Sequence, residues 1–184
     1  MRMVIGGLIL LSAAGPVVAE NAPARPLGPS IEGEIRGLTD REIADLRAGL
    51  GMGRARAAEL NGYPGPRHVL DAAQSGQLAL TVEQVRTAQR IWDGMAREAR
   101  RLGELILQEE RDLEGQFRVG RIGEPDLRAR AMRIAALDGE LRAVHLRAHL
   151  EMRAALSEEQ VTRYNQLRGY ADGPPVEHRH SPRP

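Results

Sequence analysis

From Val85 onward, apolar residues return every three or four positions, with one break at Glu109 or Glu110: Val85, Ala88, Trp92, Met95, Ala99, Leu102, Ile106, Leu113 and Phe117. That spacing marks one face of a helix. It predicts an element of about 38 residues, roughly 55 Å long at 1.5 Å per residue, stopped by the turn residues of Gly120 to Pro125. A second stripe follows at once, with Leu127, Ala131, Ile134, Leu137, Leu141, Val144, Ala148 and Met152. Neither helix can cover its own stripe, so the pair is predicted to fold back as a long antiparallel hairpin. With the turn centred near Gly123, Met95 and Glu98 fall near His149. Glu109 and Glu110 interrupt the first stripe and fall opposite 134–138, where Arg133 is a candidate partner, since an unpaired buried carboxylate is costly.

Helix starts are written three times in one spelling: Leu38-Thr39-Asp40-Arg41-Glu42-Ile43, Leu80-Thr81-Val82-Glu83-Gln84-Val85 and Leu156-Ser157-Glu158-Glu159-Gln160-Val161. In each, the hydroxyl can accept from the N3 amide while the Glu or Gln at N3 reaches back to the N-cap amide, and the flanking apolar residues form a hydrophobic staple. Each cap contributes about 1 kcal/mol. The first cassette predicts a helix from Asp40 to about Leu50, ended by Gly49, Gly51 and Gly53. A short helix over Arg54 to Leu60 and another over Arg67 to Ser75 flank the turn Asn61-Gly62-Tyr63-Pro64-Gly65-Pro66. The third cassette opens a last helix, Glu158 to about Tyr170. The fold class is therefore all-α: short N-terminal helices over 38–76, then the hairpin and a C-terminal helix over 81–170, in one domain spanning 38–170.

The chain opens with Met1-Arg2-Met3, an apolar run from Val4 to Leu11 and small residues up to Ala19, the parts of a secretory signal peptide over 1–19. The run is too short and too glycine-broken for a membrane span. The stretch 20–37 holds Pro23, Pro26 and Pro29 with three glycines and reads as a linker. The Pro-rich end, 171–184, reads as a disordered tail.

Composition narrows the function classes. Removing 1–19 takes Arg2 alone from the charged set, leaving 25 bases against 25 acids. A neutral chain argues against nucleic acid as a partner. There is no cysteine, so neither a disulfide scaffold nor a Cys-anchored lipid is available. Every base is Arg, which fits GC-rich coding more simply than a demand for guanidinium forks. One Trp, one Phe and three Tyr leave the core to aliphatic side chains. Gly49-Leu50-Gly51-Met52-Gly53 lacks the preceding strand and the Lys of a phosphate loop, and no catalytic motif accompanies it, so the chain reads as non-enzymatic.

Leu80-Thr81-Val82-Glu83-Gln84 and Leu156-Ser157-Glu158-Glu159-Gln160, bracketing a helical hairpin behind a signal peptide, resemble the LTxxQ superfamily of bacterial periplasmic stress proteins. That superfamily holds the Spy and CpxP type chaperones and the heavy-metal-resistance proteins and sensors related to CnrX and ZraP. The resemblance covers about Leu80 to Tyr170, roughly half of the chain. It implies a periplasmic, often dimeric, ATP-independent helical protein that either cradles unfolded clients or binds transition metal. Spy-type chaperones present a basic concave surface, from which this neutral chain departs.

His145, His149 and Met152 stand at i, i+4 and i+7 and share about 60° of one helical face. Two imidazoles so spaced can hold Zn, Cu, Ni or Co, and a thioether suits reduced copper. The same face is the packing face, where a histidine can simply be neutral and hydrogen-bonded. His178 and His180 in the tail are further, weaker ligand candidates, and His68 beside the proline turn has no assigned role. Three functions compete: an envelope metal-binding protein that buffers metal or reports it to a membrane partner, a metal-independent holdase for unfolded proteins working as a homodimer, and an interaction module docking on a sensor kinase or anti-sigma factor.

Overall fold

The computed structural model describes residues 35–170, and every regular element within them is a helix. In order these are α1 (Asp40–Ala48), α2 (Arg56–Glu59), α3 (Pro66–Gln74), α4 (Val82–Arg118), α5 (Glu124–Ala155) and α6 (Glu158–Arg168). The signal-peptide and tail assignments, with His178 and His180, lie outside the described residues. Ile35 and Arg36, within the stretch read as linker, belong to the folded part: Ile35 is buried in the core. Arg36 donates from its backbone N and its Nε to Glu114, at 2.6 Å each.

All three cassettes form reciprocal capping boxes, through Thr39 and Glu42, Thr81 and Gln84, and Ser157 and Gln160. The two glutamine cassettes do more than start helices. Gln84 Nε2 donates to the Ala155 carbonyl at 3.0 Å and to Gln160 Oε1 at 2.7 Å. Gln160 Nε2 donates in return to the Ala79 carbonyl at 2.8 Å and to Gln84 Oε1 at 3.0 Å. A glutamine supplies an acceptor for its own N-cap and two donors for elsewhere, which a glutamate cannot. The amide pair thus ties the start of α4 to the end of α5 and the start of α6.

The α4–α5 hairpin is the spine, and two apolar clusters lie along it. One gathers Ile35, Ile43 and Leu46 with Ala99, Leu102, Ile106 and Leu107 of α4 and Leu137 and Leu141 of α5. The other gathers Val69, Leu78 and Ala88 with Met152, Leu156, Val161 and Tyr164. The approach of α1 is so close that a Cβ on Gly103 would lie 2.1 Å from the Leu46 carbonyl oxygen. At Gly49, φ of 67° lets α1 end in a left-handed cap beside Arg100. The hairpin pairing follows the expected register: Met95 and Glu98 share a surface depression with Arg147, Ala148 and Glu151. Nearer the turn, Glu109 meets Arg130 at 3.4 Å and Arg133 at 3.7 Å, the carboxylate–arginine contact the broken stripe called for.

Candidate functional site

Between the two clusters the apolar packing of the spine gives way to a cavity of about 480 Å³. Its floor is Trp92 and Met95 of α4 with His145 and His149 of α5, within the stretch that separates Leu141 from Met152. Its walls are the glycine loop 49–53, which carries Met52, the 65–68 segment with His68, and Glu59 of α2. The glycines leave the imidazoles room. A Cβ on Gly51 would stand 3.6 Å from His145 Nδ1, and one on Gly65 would press to 3.1 Å from His149 Cε1 and 3.3 Å from its Nε2.

The two histidines are held differently. His149 Nδ1 lies 2.7 Å from the Tyr63 carbonyl. A carbonyl only accepts, so Nδ1 carries the proton and donates, and in the neutral ring Nε2 keeps its lone pair. An outer carbonyl fixing tautomer and ring orientation is how proteins prepare imidazole ligands. The Tyr63–Gly65 turn is itself pinned, since the Tyr164 hydroxyl accepts from the Gly65 N–H at 3.3 Å and donates to Glu59 at 3.2 Å. His145 is 4% exposed, and its Nε2 is buried with no hydrogen-bond partner among the described residues. Burial first, then the Arg54 guanidinium and His149, pushes its pKa down to about 4. It is thus an uncharged imidazole with an unused nitrogen, an arrangement that costs about 1–3 kcal/mol unless something binds there. His68, held 3.9 Å from Glu59, is also displaced downward, by burial and then by Arg168.

Of the three residues proposed from sequence, His145 and His149 share the cavity wall, whereas Met152 is fully buried in the second apolar cluster. Met95, placed near His149 by the hairpin register, lines the cavity with them. Met52, His68, Trp92 and the Tyr63 carbonyl were outside the sequence reading of the site. The glycine run and the proline turn mark their loops, but nothing in the sequence says which helix those loops cover. Among the described residues no three His, Cys, Asp or Glu side chains converge to hold a metal ion. No protein-family model, curated protein or solved structure matches this chain.

Proposed function

We propose that this chain is a non-enzymatic metal-binding protein of the bacterial envelope, of the LTxxQ type, that takes up a transition-metal ion at His145 and His149 for buffering or sensing. The observation that carries the reading is the pair of buried imidazoles in one cavity wall, one oriented by the Tyr63 carbonyl and the other with a nitrogen left unused. Among the described residues no third His, Cys or carboxylate converges with them, His68 and Glu59 of the same cavity included, and the thioethers of Met95 and Met52 in its lining are the candidates to complete the set. Two imidazoles with a thioether favour reduced copper over Zn, Ni or Co.

Calorimetric titration of the purified chain with Cu(I), Zn, Ni and Co tests this. One ion per chain is expected, with a higher Tm, because a ligand at 100 times its Kd stabilises the folded state by about 2.7 kcal/mol. Both effects should vanish in the His145→Gln/His149→Gln variant once circular dichroism has shown that it folds. A wild-type Tm unmoved by all four metals would remove the site.

A second reading, binding of unfolded proteins, draws support from the turn end of the hairpin, where Phe117 and Val119 stand 56% and 60% exposed beside Arg118 and Arg121. Suppression of client aggregation by metal-free protein would favour it.

A further inference from the structure

The cavity gathers rings in a chain that has few of them. Only 3% of the residues are Phe, Trp or Tyr. Yet the single Trp, Trp92, lines it together with Tyr170 and with His68, His145 and His149, all the histidines among the described residues. The two apolar clusters fill their space with aliphatic side chains and have one ring between them, that of Tyr164. Planar π surfaces turned to one space match a planar π occupant, which stacks on them or meets them edge to face. A volume of about 480 Å³ lies within the range of pockets that hold small organic molecules. Arg67 lies over the indole, with its guanidinium carbon 5.8 Å from the ring centroid. Met52, also in the lining, is 38% exposed and takes φ of 45°, the only positive φ outside glycine among the described residues. A residue with a side chain is strained there, and such strain collects at ligand clamps. Its flexible thioether favours contact with an aromatic ring.

Charges around the cavity choose the sign of the occupant. The Glu59 carboxylate is already taken, by Arg168 at 2.9 Å and by the Tyr164 hydroxyl at 3.2 Å. Arg67 is tied to Asp71 at 3.1 Å. Arg56 is exposed, lines the cavity and pairs with no side chain among the described residues. Met52 and Arg56 also border a neighbouring depression, which adds Arg142, likewise unpaired, and Arg54, bound to Asp138. Free guanidinium groups at this margin draw anions towards it. We propose that the cavity binds a small aromatic carboxylic acid, its ring between Trp92 and Met52 and its carboxylate at the Arg56 guanidinium. This role goes beyond metal uptake and does not depend on it.

Titration of the purified chain with 2-naphthoate, followed by calorimetry and by Trp92 fluorescence, tests the proposal. A chelator is kept in the buffer, so the outcome is separate from that of the metal titration. One molecule per chain is expected, with a dissociation constant of about 10 µM to 1 mM, the range open to so small a ligand. The emission of the chain's only indole should change with the same midpoint. 2-Naphthamide keeps the ring and lacks the charge, and should bind about fivefold more weakly. Octanoate keeps the carboxylate and lacks the ring, and should bind at least about tenfold more weakly. Arg56→Gln, a change at an exposed position, should bring 2-naphthoate down to the affinity of 2-naphthamide and leave that of the amide unmoved, a split that a general loosening of the fold cannot produce. No heat and no fluorescence change with 2-naphthoate at about ten times the upper limit of that range would overturn the proposal. So would octanoate binding as tightly as 2-naphthoate, or a preference for the acid that survives Arg56→Gln.

Discussion

The two ends of the α4–α5 hairpin carry the same spacing of apolar residues and meet different fates. At the root and middle, α1, α3 and α6 lie over the seam, and Leu102, Leu107, Leu137, Leu141 and Met152 are at most 2% exposed. Towards the turn, no third element among the described residues covers it. Phe117 is 56% exposed there, and Glu109 occupies a seam position between Arg130 and Arg133. Periodicity fixes which face of a helix is apolar, but two helices share only a narrow contact, so complete burial needs a third body. Energetic weight is therefore expected to concentrate at the covered end.

The strongest way to break this contrast is to lift the cover. Gly103→Ala drives a Cβ onto the Leu46 carbonyl, a backbone atom that cannot swing aside. The loss is expected to exceed about 3 kcal/mol in urea denaturation, with early hydrogen exchange in α1. Next is acidity acting at the cavity. His145 titrates near 4 when folded against an ordinary 6.5. The unfolded chain therefore binds more protons between those values, and stability falls as pH drops through that window, by about 3 kcal/mol in all, with the slope absent above it. The slope should be shallower in His145→Gln, measured by chemical denaturation across the same range, leaving what His68 and the carboxylates supply. Gln84→Ala comes third. It strands Gln160 Oε1 and the Ala155 carbonyl without the Gln84 amide, costing roughly 2 kcal/mol, and a double-mutant cycle with Gln160→Ala should show coupling well above zero. Smallest is Phe117→Ala at the open end, expected within about 0.5 kcal/mol of wild type. A loss as large as that of Leu102→Ala would mean that the turn end is as tightly packed as the root.

Much of this architecture was legible in the residues. Helix starts are local chemistry, and Thr39, Thr81 and Ser157 open their helices where the cassettes place them. The hairpin follows from two stripes and a Gly-Pro turn, and its register from the position of that turn. The site was legible only in part. His145 and His149 share a face because their spacing is helical. Met152 shares that face too, but helical phase does not say where along the axis the packing opens, and it lies beyond the cavity in the second cluster. Met52 and His68 reach the cavity from loops that are distant in sequence, and a loop's destination is set by tertiary packing. The meeting of Gln84 and Gln160 is hidden in the sequence for a similar reason. A local cap fully explains each glutamine, and its spare amide protons point to nothing until the helices are assembled.

That amide junction has a consequence for how the molecule comes apart. Amides neither ionise nor respond to screening, so the knot joining α4, α5 and α6 holds equally well in acid and in brine. The polar contacts at the N-terminal end rely on carboxylates instead: Glu42 closes the cap of α1, and Glu114 of α4 accepts from Arg36. The Thr39 amide and hydroxyl hold Glu42 below its ordinary range, and Arg36 does the same for Glu114. Their help is complete above the unfolded carboxyl pKa and drains away as pH falls through the lower folded values. Acidification therefore weakens the cap of α1 and the Arg36 contact while the knot stays tied, and the apolar contacts of Ile43 and Leu46 are what then hold α1 to α4.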